Sequence, residues 1–233
     1  RHGIVPISLT QDTSGPMART VRDAAMLLTV VAGSDPGDPA SKDADAHKTD
    51  YTQGLDPNAL KGKKIGVLHG TSGDTPATKP VYDEALGVLK AQGAELVDLP
   101  ADLLEDMSQE DRIILTSEFK DDLNAYLAAT APAQKVRSME ELIAFNKVDG
   151  HEKLHSQDLM EASFATEGRA GADYIKAIEY AKRRAGAEGF DRAFNEFGVS
   201  AVVGLTSGPA GVIVPEGSAG GHTISEKIGR AHV

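Results

Sequence analysis

The fold class of this chain can be read from residues 63–99, KKIGVLHGTSGDTPATKPVYDEALGVLKAQGAELVDL. The runs at 63–68 and 94–99 are short and apolar, as is typical of strands, whereas residues 80–92 have helical spacing and are followed by Gly93. A strand, a helix and a second strand in this order form a β-α-β unit, whose strands lie parallel. The segment therefore predicts an α/β fold with a mixed, largely parallel sheet flanked by helices.

Helical periodicity dominates downstream of this unit. The apolar spacing predicts four helices and then a buried strand, at 103–129, 138–147, 157–165, 172–197 and 200–205. We therefore expect one α/β domain over 1–211, with a helical insertion at about 102–197 and a divergent or flexible tail at 212–233.

Upstream of the unit, a helix is expected to begin at Thr20, because Asp23 follows three residues later as in a capping box. Gly33 predicts a left-handed stop for this helix. Residues 34–58 are rich in Asp, Pro, Gly and Ser, which favours a surface loop over regular structure. Their carboxylates lack the D-x-[DN]-x-[DN]-G spacing of a calcium loop, so we interpret the segment as a solvated loop.

The bulk composition indicates a soluble, folded protein and argues against several classes of function. With 24 basic and 35 acidic residues, the formal net charge is -11, which repels nucleic acid and anionic lipid. No apolar run approaches the roughly 20 residues of a membrane span, and the lack of cysteine excludes disulfides and thiolate chemistry. No signal peptide is visible after Arg1, and residues 1–6 read as the end of a strand or loop already under way, so we expect the sequence to continue upstream. We expect a cytoplasmic protein.

Two other motifs match functional patterns only in part. The run GTSG at 70–73 follows a strand but lacks the Gly-Lys-Ser/Thr ending of a phosphate-binding loop. His151, Glu152 and His155 satisfy the H-E-x-x-H of zinc proteases, which also need a mid-helix position and a third ligand. Because Gly150 and a polar stretch surround these histidines, we expect no metal site there and rank a metalloprotease as a third hypothesis.

Two loops carry residues suited to a site, since open α/β sheets bind ligands where loops leave the strands. In the first, Asp12 precedes Gly15-Pro16, a pair that fixes a tight turn, and Asp12 either ties down this turn or acts in catalysis. In the second, residues 206–211 leave a predicted strand and offer hydroxyls and unhindered backbone amides. That second loop fits a substrate contact and a compact turn equally well.

Several motifs together resemble one known family. Residues 8–25 read S-x-x-x-D-x-x-G-P-M-A-R-T-V-x-D-A-A, and residues 32–39 read A-G-S-D-P-x-D-P. Further matches are EFK at 118–120, LIAFN at 142–146 and TSGPA at 206–210. These segments are similar to the amidase-signature family, and the later ones to its branch that contains the peptide amidases.

The resemblance implies hydrolysis of carboxamides by a serine nucleophile, a second serine in a cis peptide and a lysine base, without metal or organic cofactor. In the family these residues precede the matched region, and none has a counterpart in this sequence. The chain therefore resembles the C-terminal portion of an amidase and is expected to be inactive by itself. A non-catalytic binding or assembly module that reuses the fold is the alternative.

The same resemblance supplies candidate site residues but no catalytic residue. Thr206, Ser207 and Gly208 match a loop that lies close to the substrate pocket in the family, so we expect them to form a pocket wall. Asp12 and Arg19 match the shared motif and are interpreted as structural support for the site. The expected partner of the full-length protein is a small-molecule or peptide amide, with no nucleic acid and no membrane. A homo-oligomer is possible, because strands that lack their sheet neighbours expose apolar surface.

Overall fold

A computed structural model describes residues 1–71, 73–104, 107–149, 156–206 and 208–209. They form two compact units: the smaller combines Arg1–Ile4 with Asp12–Lys61, and the larger combines Val5–Gln11 with the chain from Gly62 onward. The tail predicted at 212–233 lies outside the described residues. We describe each unit by itself.

The larger unit contains the predicted β-α-β segment. Its elements are strand β1, helix α2, strand β2 and, much later in the chain, strand β3, at Lys64–Val67, Lys79–Ala91, Glu95–Asp98 and Ala201–Val203. Strand β1 pairs in parallel with both other strands, Lys64 opposite Glu95 and Ile65 opposite Ala201, so the order is β2-β1-β3. The α/β fold with helices beside a parallel sheet, predicted from residues 63–99, is confirmed.

Apolar side chains pack at the carboxyl end of the sheet. A Cβ on Gly66 of β1 would lie 2.6 Å from Cδ1 of Leu99, so glycine leaves room for this buried leucine. Leu99 belongs to a buried cluster with Leu68, Leu103, Ala193 and Val199. The strand predicted at 200–205 is less buried than expected, because β3 lies at an edge of the described sheet and exposes Ala201.

The region between β2 and β3 is helical, as predicted, but its boundaries differ. A 3-10 turn at Ala101–Leu104 precedes helices α3 to α7, at Ser108–Ala129, Met139–Asp149, Asp158–Phe164, Ala172–Ala185 and Asp191–Phe197. The single helix predicted at 172–197 is interrupted by a π turn at Gly186–Phe190. A Cβ on Gly189 would lie 2.4 Å from the carbonyl oxygen of Arg184, so this tight turn requires glycine.

Helix α3 is the centre of the helical region. It buries Ile114 together with Met107 against the alanines of α6. Its C-terminal half buries Leu123 and Leu127 against Met139 of α4. Neither α3 nor any other helix in the described ranges combines the length and apolar composition that a membrane span requires.

The smaller unit contains helix α1, Val21–Val31, which begins as predicted. The hydroxyl of Thr20 accepts a hydrogen bond from the Asp23 N–H at 3.1 Å. The predicted stop is wrong in detail: the chain already turns extended at Ala32, and Gly33 has a φ of 145°, outside the left-handed helical range.

The segment that follows α1 is more ordered than the predicted loop at 34–58. It contains three 3-10 turns, at Pro39–Ser41, Ala44–Ala46 and Tyr51–Gly54. Carboxylates of Asp38 and Asp50 cap the first and last turns by accepting from backbone N–H groups at 3.2 and 2.9 Å. The Tyr51 N–H donates to the Thr29 hydroxyl at 3.0 Å, which attaches the last turn to α1.

Candidate functional site

A buried tyrosine joins the carboxyl ends of β1 and β3. The hydroxyl of Tyr82, on α2, lies 2.9 Å from the carbonyl oxygen of Leu68 and 3.0 Å from that of Val203. Burial, reinforced by the charge of Asp74, raises the pKa of Tyr82, so its hydroxyl stays protonated and available as a donor. Helix α2 thereby fixes the edge at which open α/β sheets bind their ligands.

Polar side chains extend from this edge to the surface. Nε2 of His69, after β1, lies 2.9 Å from Oδ1 of Asp98, the last residue of β2. The hydroxyl of Thr71 donates to the carbonyl oxygen of Leu205 at 3.4 Å, which connects the loops after β1 and β3. Both members of the His69–Asp98 pair are exposed, so this pair contributes little to stability but offers polar groups to a ligand.

The predicted pocket wall begins three residues after β3. Thr206 is exposed and forms no hydrogen bond with the described part of the chain, and Gly208 is half-buried. Ser207 lies outside the described residues, as does the predicted loop after residue 209. The role of Thr206, Ser207 and Gly208 in substrate binding stays a prediction.

The predicted support residues lie in the smaller unit. Asp12 is half-buried, and its backbone carbonyl accepts a hydrogen bond from Nη1 of Arg1 at 3.2 Å. Arg19 is exposed and has no hydrogen bond or ion pair to any residue in the described ranges. A cleft of about 120 Å³ is lined by Ser14, Gly15, Pro16, Leu27 and Val31. The supporting roles of Asp12 and Arg19 also stay predictions.

An ion pair stabilises the same unit. Nη2 and Nε of Arg1 lie 2.7 and 2.9 Å from the two carboxylate oxygens of Asp38, in bidentate geometry. These hydrogen bonds hold the pKa of the Asp38 carboxyl well below its usual range. Because Asp38 also caps the Pro39–Ser41 turn, the pair connects the first residue of the chain to the region after α1.

A buried carboxylate on α3 was not predicted as part of a site. Glu118 is fully buried and accepts hydrogen bonds from the hydroxyls of Ser8, Thr10 and Tyr174 at 2.6, 2.8 and 2.7 Å. Burial of a carboxylate is costly unless its oxygens are hydrogen-bonded, and these three hydroxyls fill that need. Burial and the hydrogen bond to Glu118 raise the pKa of Tyr174 to about 12, so this tyrosine remains a donor at neutral pH.

A second buried carboxylate, Asp122, lies one turn further along α3. Nη1 and Nη2 of Arg169 lie 2.6 and 2.8 Å from its two oxygens, and the Leu9 N–H donates to Asp122 at 2.8 Å. Nη2 of Arg169 is also 3.5 Å from Glu118. Burial opposes the charged guanidinium, but hydrogen bonding to Asp122 outweighs it and raises the pKa of Arg169 above its ordinary value. We call this group the α3 cluster: Ser8, Leu9, Thr10, Glu118, Asp122, Arg169 and Tyr174.

Part of the α3 cluster has a signal in the sequence. Glu118 and Asp122 continue the helical spacing of Ile114, so both carboxylates share a face with a buried apolar residue. The EFK motif contains Glu118 but indicates no role for it. Arg169 and Tyr174 could not be assigned as partners, because they lie 47 residues from Asp122 and 56 residues from Glu118 along the chain.

The question of a metal site stays open for one segment. Within the described ranges, no group of three or more His, Cys, Asp or Glu side chains is placed to hold a metal ion. The H-E-x-x-H match at His151 and His155 lies outside those ranges. The expectation that the protein needs neither metal nor organic cofactor therefore stays a prediction.

The parallel β-α-β core, the polar carboxyl edge and the helical region before β3 define an α/β protein with helices beside a parallel sheet. The chain belongs to the amidase family, whose family model matches residues 1–210. This match confirms the resemblance to amidase-signature enzymes that the motifs in residues 8–25 indicated.

Known proteins of this family are similar to most of the chain. A probable amidase of Arabidopsis thaliana is 30% identical over 228 residues, which cover 94% of this chain and 43% of the relative. A glutamyl-tRNA(Gln) amidotransferase subunit of Neisseria gonorrhoeae is 30% identical over 199 residues, which cover 83% and 40%. A peptide amidase solved with the competitive inhibitor chymostatin has a TM-score of 0.84 and 36% identity, covering 99% of this chain and 47% of its own. The chain thus spans less than half the length of these relatives.

Proposed function

We propose that the protein containing these residues hydrolyses the C–N bond of linear carboxamides through a serine nucleophile. The observation that carries the proposal is the likeness to peptide amidase, with a TM-score of 0.84 and 36% identity over 99% of the chain. In this reaction the serine oxygen attacks the carbonyl carbon, the amine leaves with a proton, and water then releases the acid from the acyl-enzyme. Backbone or side-chain donors stabilise the oxyanion that forms at each attack.

In this proposal the 233 residues contribute the scaffold and one wall of the pocket. Thr206, Ser207 and Gly208 form the wall, and Asp12 and Arg19 support the site. The position of the loop after β3 supports this assignment, because ligands of open α/β sheets bind at the carboxyl ends of strands. The lysine and the two serines that perform the attack belong to family motifs that none of the 233 residues matches, so the chain by itself is inactive.

The proposed substrate is a small-molecule or peptide amide. The structural neighbour is a peptide amidase, which favours an amidated peptide as the substrate. The net charge of -11 opposes binding of nucleic acid by long-range repulsion. A cytoplasmic location stays a prediction.

Self-association is a further part of the proposal. Met26, Leu27, Val30 and Val31 form an exposed apolar stripe on α1. A contiguous exposed apolar surface is typical of contact with another polypeptide. Sedimentation of the chain at several concentrations would report such association.

The activity is tested by the release of ammonia. The purified 233-residue chain and the product of the complete coding sequence that contains it are incubated with an amidated dipeptide, and ammonia is measured with a coupled enzyme. We expect release from the complete product and none from the chain. The free-acid dipeptide serves as the blank, because it has the same backbone but no terminal amide.

Each outcome bears on a different part of the proposal. Turnover by the chain alone would show that its own residues can attack an amide, against the proposed inactivity. No turnover of any linear amide by the complete product would favour the alternative, a binding or assembly module that reuses the amidase fold. A lysine and two serine loops encoded upstream of Arg1 would favour the enzyme.

A further inference from the structure

A single hydroxyl connects the ends of two strands at the carboxyl edge of the sheet. The Tyr82 hydroxyl lies 2.9 Å from the carbonyl oxygen of Leu68, the first residue after β1. It also lies 3.0 Å from the carbonyl oxygen of Val203, the last residue of β3. A phenolic hydroxyl has one proton, so the two carbonyls share it. The start of α2 and the ends of β1 and β3 therefore meet at one atom.

Burial of Tyr82 alone does not require both contacts. Tyr82 is 6% exposed, and the hydroxyl of a buried tyrosine needs one partner, which the Leu68 carbonyl supplies. The Val203 carbonyl already accepts a hydrogen bond from the Leu68 N–H at 2.9 Å, so the Tyr82 hydroxyl is its second donor. The contact with Val203 thus exceeds what hydrogen-bond satisfaction demands, and it adds a fixed position for the end of β3.

The end of β3 leads directly to the proposed pocket wall. Thr206 follows Val203 by three residues, and the carbonyl of the intervening Leu205 accepts a hydrogen bond from the Thr71 hydroxyl at 3.4 Å. All of these residues belong to the larger unit. Residues of a binding site must be held to within about 0.5 Å by surrounding contacts. Tyr82 and Thr71 supply such contacts to the backbone that leads to Thr206.

We propose that Tyr82 is a positioning residue for amide binding, acting through the Val203 carbonyl on the place where the loop that begins at Thr206 meets the substrate. The inference rests on the proposed function, because that function assigns Thr206 to the pocket wall. Tyr82 touches no substrate atom in this scheme, and its hydroxyl holds the strand end from which the wall extends. Thr71 acts in the same direction through the Leu205 carbonyl, and more weakly, because its hydrogen bond is longer.

The test removes one hydroxyl at nearly constant shape. Tyr82→Phe keeps the buried ring and deletes the oxygen that contacts Leu68 and Val203. In the complete enzyme we expect KM for an amidated dipeptide to rise about fivefold or more, with kcat changed by less than about twofold, because a displaced wall binds ground state and transition state equally less well. The control is Tyr51→Phe, which deletes a hydroxyl that donates to the carbonyl of nearby His47 and should leave both constants unchanged.

The two kinetic constants separate positioning from a purely structural role. If Tyr82→Phe only destabilised the fold, fewer molecules would be active, so the apparent kcat would fall and KM would keep its wild-type value. The weaker contact provides a second variant: Thr71→Val should raise KM by a smaller factor of about two, and Thr71→Ser, which keeps the hydroxyl, should restore it.

A second readout does not depend on activity. The Leu68 amide donates to the Val203 carbonyl, so its hydrogen exchange reports whether the two strand ends stay together. In the product of the complete coding sequence, this exchange should become about fivefold faster or more in Tyr82→Phe and stay unchanged in Tyr51→Phe. A wild-type KM in Tyr82→Phe, or an unchanged exchange rate at Leu68, would overturn the positioning role. If the wild type hydrolyses no amide, the proposed function fails instead, while the exchange rate still decides whether Tyr82 holds the end of β3.

Discussion

Two regions of the larger unit exclude water by different means. One is the α3 cluster, and the other, which we call the sheet core, is the buried apolar cluster of Leu68, Leu99, Leu103, Ala193 and Val199. At the carboxyl end of the sheet, Leu68, Leu99 and Leu103 are buried among other apolar side chains and need no hydrogen-bond partner. On α3, Glu118 and Asp122 are buried to the same degree, but each depends on donors from distant parts of the chain. Apolar burial is non-directional and grows with area, whereas a buried charge requires defined partners.

Because of this difference, we expect one region to provide stability and the other to fix the position of nearby residues. An apolar core accepts changes of shape at nearly constant volume with a small loss of stability. A buried network cannot adapt in this way, because removal of one member leaves another polar group without its partner. We therefore expect the sheet core to supply most of the free energy of unfolding, and the α3 cluster to determine where residues 8–10 lie.

The largest loss is expected in the sheet core. Leu99→Ala removes three buried carbons from a site that cannot collapse fully, because Leu68, Leu103 and Val199 surround it, so stability should fall by about 3 to 4 kcal/mol. Urea unfolding followed by circular dichroism measures this loss. Leu99→Met is the control and should cost less than about 1.5 kcal/mol, because it conserves volume.

The space beside Gly66 provides a check on that explanation. A Cβ at Gly66 would lie 2.6 Å from the end of the Leu99 side chain. Gly66→Ala should therefore destabilise the wild type by about 1 to 3 kcal/mol, and clearly less in the Leu99→Ala background, where that side chain is gone. Equal costs in both backgrounds would contradict the packing account.

A smaller but still large loss is expected in the α3 cluster. Arg169→Met leaves Asp122 and Glu118 buried without their cation, which typically costs about 3 to 5 kcal/mol for a fully buried pair. Because the Arg169 side chain is 33% exposed, water compensates in part, and we expect about 2 to 3 kcal/mol. Urea unfolding at pH 7 measures the difference.

The matched control for Arg169 is an exposed arginine on the adjacent helix. Arg183 pairs with Glu188, but its side chain is 55% exposed, so Arg183→Met should cost less than about 1 kcal/mol. Equal losses for the two variants would mean that the α3 cluster behaves as a surface ion pair. In that case the α3 cluster and the sheet core would differ only in the apolar area that they bury, and not in a need of buried charges for defined partners.

The sheet was predictable because its signals are local. Residues 63–99 contain two strands, the helix that joins them and Gly93, which has a φ of 89° after that helix. Each of these features depends on the identity of neighbouring residues. The third strand was also found, but its burial was overestimated, because the sequence of β3 does not reveal that it lies at an edge of the described sheet.

The α3 cluster was predictable only in the helical spacing of its two carboxylates, because the signals for its other members are distant. Helix α3 buries acids and apolar residues on one face, so hydrophobic periodicity does not show which side points inward. A carboxylate next to a leucine is normally interpreted as a solvated position. Its partners Ser8 and Tyr174 lie 110 residues before and 56 residues after Glu118 in sequence, and only the fold brings them together. For the same reason the family motif supplied Glu118 without its role.

The smallest effect is expected at Tyr174, and its pH dependence is specific to the α3 cluster. Tyr174→Phe removes one of the hydroxyls that donate to Glu118, which should cost about 1 kcal/mol at pH 8. The pKa of Tyr174 is raised to about 12 in the folded state, so below its ordinary value near 10 the proton is bound in both states and the stabilisation is fully present. Above about pH 10 the unfolded chain loses this proton first, so the advantage of the wild type over Tyr174→Phe should shrink toward zero by about pH 11.

The gap between the two free energies of unfolding is measured by urea unfolding of both proteins at pH 8, 9, 10 and 11. A gap that stays constant up to pH 11 would show that folding does not raise the pKa of Tyr174, and would contradict the burial of its hydroxyl against Glu118.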